Sequence, residues 1–168
     1  CIRGNYEFLG YAIATLLLVI VLMWSDKWFR FSNTSYILFS IWMFSHMFGG
    51  WLIIGDGRLY DVVFYEFVAA PFHILRYDQL IHAFCYFMFT FVTFDIVRSL
   101  RKKVSFVVIL VAVLASIGIG SLNEVIEFGM VLFLGAGEAV GGYINTGLDM
   151  VANLLGAILA GLVIWFKK

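Results

Sequence analysis

Three acid-rich stretches and one isolated histidine carry the chemical potential of this sequence. Asp78 and His82 stand i,i+4, Glu124 and Glu127 stand i,i+3, and Asp149 and Asn153 stand i,i+4. Each pair shares one face if its segment is helical. Cys85 lies a turn beyond His82 on the same face, and His46 sits alone in an apolar run. Carboxylates and histidines at these spacings on facing helices are how helical bundles hold metals. The candidate ligands are His46, Asp78, His82, Glu124, Glu127 and Asp149, and a carboxylate-rich set suits a divalent metal ion such as Mg, Mn, Fe or Zn. The other chemistry open to them is acid–base catalysis. Of two carboxylates sharing a low-dielectric site, one holds its proton. Glu124 and Glu127 would then act as acid and base, with His82 moving protons. Arg76, Asn145 and Asn153 flank the acids and are expected to support them.

Plainer roles compete residue by residue. Asp78 can cap a helix start, and Ser121…Glu124 and Thr146…Asp149 both fit capping boxes, in which an acid meets the helix dipole. Either histidine can satisfy a neighbouring carbonyl. Caps need no histidine, however, and they leave Glu127 unexplained, one turn deeper than a cap requires. Two cysteines, at positions 1 and 85, make neither a zinc site nor a disulfide framework. The stretch from Gly135 to Gly142 lacks the Gly-Lys-Ser/Thr ending of a phosphate loop and reads as a turn. No Gly-x-Ser-x-Gly elbow occurs.

The elements that must position these residues are membrane helices. Of 168 residues, 63% are hydrophobic and 13% charged, with 18 Phe and a single Pro. Soluble domains run at about 45–50% and 25%. The net charge of zero gives nucleic acid nothing to bind. The expected fold is an all-α polytopic bundle forming one transmembrane domain over residues 1–168. Its five spans are Tyr6–Trp24, Thr34–Ile54, Gln79–Val97, Val104–Leu122 and Gly147–Phe166. The first is followed by Trp24, Asp26, Lys27 and Trp28, an interfacial anchor rather than a signal-peptide cleavage site.

Lys27, Arg30, Arg98, Arg101, Lys102, Lys103, Lys167 and Lys168 fall on one side of this arrangement, and only Arg3, Arg58 and Arg76 on the other. The positive-inside tendency then puts the N-terminus outside and the C-terminus in the cytoplasm. The acid pairs lie at the outer ends of their spans, so their polar faces are expected to converge, with His46 at the floor.

Two connections need special structure. In the outer loop Gly55–Tyr77, the residues Leu59, Val62, Val63, Phe67 and Val68 fall near one helical face, which predicts an interfacial helix stopped before Pro71. As a single helix, Val104–Ala136 would measure roughly 50 Å, against a core of about 30 Å. Gly118, Gly120 and Ser121 predict a break there, with a short re-entrant piece after it. Ala152, Gly156 and Ala160 form a small-residue seam for helix packing.

The motifs Asp78-Gln-Leu-Ile-His82, Asn123-Glu-Val-Ile-Glu127 and Asn145-Thr-Gly-Leu-Asp149-Met-Val-Ala-Asn153-Leu-Leu-Gly156 resemble those of the VanZ-like membrane proteins. Those proteins carry an Asp-Lys-x-x-His start, a Glu-x-x-Gln or Glu-x-x-Glu pair and an Asp-x-x-Ala-Asn-x-x-Gly stretch. The chain is more similar still to the YjdF-type uncharacterised inner-membrane proteins. In these a histidine precedes the long outer loop, as in His46-Met-Phe-Gly-Gly here, and a run like Leu75-Arg76-Tyr77-Asp78 precedes the His82 span. Gln79 stands where the VanZ-like motif has Lys, and Glu127 where many members have Gln. The resemblance implies a prokaryotic plasma (inner) membrane and names no activity.

These readings converge on an outward-facing polar or metal site in the outer leaflet. It would act on an envelope lipid or lipid-linked small molecule by hydrolysis or phosphoryl transfer, with Glu127, His82 and Glu124 as catalytic residues. The expected partners are membrane lipid, that substrate, and a second copy of the chain as a homo-oligomer. A small transporter or proton-coupled carrier is the alternative, although no inverted repeat is visible and Asp95 alone carries charge in the inner half of a span. A structural subunit of a membrane complex is the third.

Overall fold

A computed structural model describes residues 6–70, 72–101, 103–134 and 142–167, with side chains from residue 12 onward except that of Leu134. The turn expected after Gly135 and the stop expected at Pro71 lie outside the described residues. The described residues contain five long helices: α1 Tyr6–Phe29, α2 Asn33–Trp51, α3 Tyr77–Leu100, α4 Phe106–Leu134 and α5 Gly142–Phe166. α3 is central, packed on α5, α4 and α2, while α1 lies mainly against α2.

The distribution of polarity is inverted relative to a soluble protein. Leu16, Val21, Phe106, Leu155 and Leu159 are exposed, whereas Thr90, Thr93, Asp95, Ser116, Glu124, Asp149 and Asn153 are buried. Lipid can cover the first set, and only protein can satisfy the second. By length and composition α1, α3, α4 and α5 can each cross a membrane. α2 is not among them, because Asn33, Thr34, Ser35, Ser40, Ser45 and His46 dilute its apolar content. Among the described residues, four helices therefore meet this criterion, one fewer than the five spans expected.

Two expectations are corrected. α4 is one unbroken helix through Gly118, Gly120 and Ser121, with no re-entrant piece up to Leu134. A helical glycine costs only about 1 kcal/mol, and Gly120 is used for packing. A Cβ there would meet the Tyr86 ring and Asn153 Nδ2, each at 3.2 Å. The Ser121 hydroxyl donates back to the Ile117 carbonyl instead of capping a new helix. Twenty-nine residues of helix measure about 43 Å at 1.5 Å per residue. The excess over the bilayer is taken by tilt or protrusion, not by a break.

The described part of the Gly55–Tyr77 loop does not form the expected interfacial helix. Gly55, at φ +63°, turns the hairpin of β1 Ile53–Ile54 and β2 Gly57–Arg58, and a 3-10 turn follows at Leu59–Asp61. The chain then doubles back on itself. Val63 bridges antiparallel to Arg76, and the backbone N–H groups of Phe64 and Ile74 donate to the carbonyls of Leu75 and Val68. These cross-bonds satisfy backbone that a helix would otherwise have to satisfy.

The small-residue seam works inside the chain. A Cβ on Gly156 would overlap the carbonyl oxygen of Ala83, so α5 lies directly on the α3 backbone. Ala157 and Ala160 are fully buried on the same helix. At the opposite end from Asp78, Asp95 accepts from Ser32 N–H at 2.8 Å and from the Ser35 hydroxyl at 2.7 Å, and pairs with Arg98 at 3.0 Å. This buried carboxylate is fully satisfied and joins α3 to the start of α2.

Candidate functional site

Three helices bring polar faces to one end of the bundle. α3 starts at Tyr77, and Gln79 rather than Asp78 caps it: Gln79 Oε1 accepts from the N–H groups of Leu75 and Arg76 at 2.8 and 3.2 Å. Asp78 is left free for the interior. α5 starts at Gly142, ahead of Thr146, so Thr146 and Asp149 lie within the helix and form no capping box. That removes the structural explanation for Asp149, which is 1% exposed.

Asp78, His82 and Asp149 each offer a ligand atom, and these atoms lie within 4.8 Å of one another. His82 Nε2 is 3.7 Å from Asp78 Oδ1. Its Nδ1 is 3.1 Å from Asn153 Oδ1 and 4.0 Å from Glu124 Oε1. Asn145 Nδ2 donates to Asp149 Oδ2 at 2.6 Å and reaches Asp78 Oδ2 at 3.4 Å. Arg76 follows outward, with Nη1 3.5 Å from Asn145 Oδ1 and Nη2 3.2 Å from Asp61 Oδ1.

Satisfaction is uneven. Both oxygens of Glu124, Oδ1 of Asp149 and Nδ2 of Asn153 are buried with no hydrogen-bond partner among the described residues. A buried carboxylate in that state costs several kcal/mol unless a cation or proton meets it. The Asp78 and His82 side chains are 22% and 15% exposed, so the group opens to the exterior on the Asp78 side.

Glu127 and His46 are not among the three residues whose ligand atoms meet, but both lie within electrostatic reach of His82. Glu127 is half-buried one turn beyond Glu124 and accepts from Asn123 Nδ2 at 2.8 Å. His46 is held elsewhere: its ring stacks on Trp42 at 5.2 Å, and Nδ1 meets the Tyr60 hydroxyl at 2.5 Å. Tyr60 enters because Gly49 leaves room for its ring, which a Cβ would approach to 2.7 Å. Cys85 is buried in the apolar core. Sequence reasoning missed Tyr60, Asn123 and the loop acid Asp61. Gly49 beside His46 was the only local signal for the first.

The set Asp78, His82 and Asp149 could hold a divalent ion, with Glu124, Asn145 and Asn153 around it. Bonds of about 2.0–2.2 Å to such an ion would draw these donors closer together than they stand here. Over residues 3–168 the chain matches the family described as predicted membrane protein (DUF2238). No curated protein and no solved structure matches it.

Proposed function

The chain belongs to this DUF2238 family of predicted membrane proteins, and from that premise we propose that it carries a divalent-cation site at one membrane face. Asp78, His82 and Asp149 are the ligands. The observation that carries this reading is the meeting of Asp78, His82 and Asp149 ligand atoms within 4.8 Å, with both oxygens of Glu124 and Oδ1 of Asp149 buried without a hydrogen bond beside them among the described residues. A bundle that needed only stability would place apolar residues or satisfied pairs there. Asp95, elsewhere in the same chain, has its donors in place.

Within the site, His82 offers Nε2 to the ion, and its Nδ1–H donates to Asn153 Oδ1. A ligating histidine almost always donates its other N–H in this way, which fixes the ring and raises its basicity. Glu124, 4.0 Å from Nδ1, supplies the negative charge behind that imidazole. When bound, the ion polarises a substrate oxygen or lowers the pKa of a water. Glu124 and Glu127 are then the acids available to move protons.

The topology that fits is five crossings, with α2 as the least apolar. The N-terminus lies outside and the basic ends of α1, α3 and α5 lie in the cytoplasm of a prokaryotic cell. The site then opens outward at headgroup depth. That suits hydrolysis or phosphoryl transfer on an envelope lipid or lipid-linked molecule, in line with the resemblance to VanZ-like and YjdF-type proteins. The carrier reading has less support. Beyond the cluster, the buried hydroxyls of Thr90, Thr93 and Ser116 donate to backbone carbonyls rather than to one another.

The test is elemental analysis with Mn2+ and Zn2+ titration of the purified wild type and His82→Gln. One ion per chain in the wild type, lost in a variant of unchanged melting temperature, supports the site. No ion in either protein after loading ends the proposal.

A further inference from the structure

We propose that the cluster receives a phosphate group, which lies between the Arg76 guanidinium and the ion held by Asp78, His82 and Asp149. This rests on the ion-site reading above and adds its ligand class, a phosphomonoester or phosphodiester, with Arg76 as the residue that selects it.

The argument starts from where Arg76 is and what it leaves undone. It immediately precedes α3, two residues before the ligand Asp78. Buried acids next to an arginine would ordinarily pair with it, because a bidentate guanidinium–carboxylate contact is the strongest satisfaction on offer. Here the pairing is not made. Asn145 stands between them, its Oδ1 toward Arg76 and its Nδ2 toward Asp78 and Asp149. Arg76 is turned instead to Asp61, whose side chain is 57% exposed and whose attraction water therefore weakens. Its Nε is buried without a hydrogen-bond partner among the described residues, and its bond to Asn145 is long at 3.5 Å. The fork thus keeps donors in hand beside the acid group.

Coordination then decides the ligand. A divalent ion on the cluster is offset by Asp78 and Asp149, and what it adds is open coordination positions beside a guanidinium with donors unused, the two separated by one asparagine. A cationic or neutral head group gains nothing from that pair. An anion with several oxygens in tetrahedral array can give one to the ion and others to the planar fork, the geometry for which arginine is suited. Lysine would supply the charge without the fork.

The surroundings fit a phosphate that arrives on a lipid. Val63 pairs with Arg76 across the doubled-back loop, so Phe64 and Tyr65 follow directly on the residue paired with Arg76. Both are exposed, as are Phe67 and Phe72. Aromatic side chains at a membrane face sit at headgroup level. A free phosphoester would use the same two cations without those contacts.

The experiment uses the full chain in phosphate-free detergent, as wild type, Arg76→Gln and Arg76→Lys. Mn2+ binding is read by electron paramagnetic resonance. Binding of orthophosphate is read by 31P relaxation from the bound Mn2+, and short-chain phosphatidic acid is the competitor. The expected result is equal Mn2+ affinity in all three proteins. Phosphate binding falls at least about tenfold in Arg76→Gln, the loss expected for one charge-assisted contact, and less in Arg76→Lys. Displacement of orthophosphate by phosphatidic acid assigns the lipid source, and no displacement assigns a free phosphoester. Equal phosphate affinity in wild type and both variants overturns the role of Arg76. Absence of Mn2+ from the wild type overturns the ion site itself, so the two failures are read separately.

Discussion

His82 on α3 and Asn153 on α5 meet at 3.1 Å, Nδ1 to Oδ1, across 71 residues of sequence. An amide oxygen can only accept, so this contact sets the hydrogen on Nδ1 and leaves Nε2 for Asp78 or an ion. Asn153→Ala removes that anchor without touching a ligand. Metal affinity should fall about 10- to 100-fold, with the fold retained. A titration giving wild-type affinity would show that Asn153 does not position the imidazole.

Asp149→Asn and Glu127→Gln should now rank in the opposite order to the one sequence alone suggested. Asp149 is in the ligand group and has an unpartnered buried oxygen, whereas Glu127 lies outside that group and is held by Asn123. Asp149→Asn should abolish metal binding while leaving the melting temperature equal or higher, because an uncompensated buried charge is removed. Glu127→Gln should keep its metal. Measured metal content lost from Glu127→Gln and kept in Asp149→Asn would reverse the assignment.

Asp95→Ala serves as the control carboxylate. It strands the Ser35 hydroxyl and the Ser32 N–H and frees Arg98, so it should destabilise by about 2–3 kcal/mol. Metal stoichiometry in the folded fraction should be unchanged. A drop in stoichiometry without a drop in thermal stability would mean that Asp95 communicates with the site.

Gly156→Ala tests the α3–α5 seam. The added methyl would meet the Ala83 carbonyl, which cannot swing aside as a side chain could. Separating the two backbones should cost about 1–3 kcal/mol. It should also weaken metal binding, since α3 carries Asp78 and His82 and α5 carries Asp149. A melting curve identical to wild type would refute the close approach of these helices.

Topology can be read with Asp56→Cys and Lys103→Cys in a chain whose own cysteines have been replaced. Both positions are exposed and lie at opposite ends of α3. An impermeant thiol reagent added to intact cells should label position 56 and spare position 103. The reverse pattern would put the site in the cytoplasm.

Much of this was legible in the residues themselves. Membrane residence follows from composition, because no soluble surface can be made from a chain so apolar, and helix positions follow from runs long enough to span. The spacing of Asp78 with His82 and of Asp149 with Asn153 places each pair on one face of its own helix, which is a local property of 3.6 residues per turn. The loop and the glycines of α4 were misread for a shared reason. Periodicity near Leu59 and the Gly118–Ser121 cluster are local signals, and tertiary bonds override them. The backbone of residues 62–68 found partners in residues 74–77, and Gly120 was needed for the Tyr86 ring rather than for a break. Tertiary structure alone decided which acids stand together. Moving the start of α5 back to Gly142 turned Asp149 from a cap into a buried carboxylate. Tyr60 drew off His46, and Asn145 came between Arg76 and the acids. Those outcomes depend on distances between helices, which are set by contacts such as Gly156 on Ala83 and have no trace in the spacing of residues along any one of them.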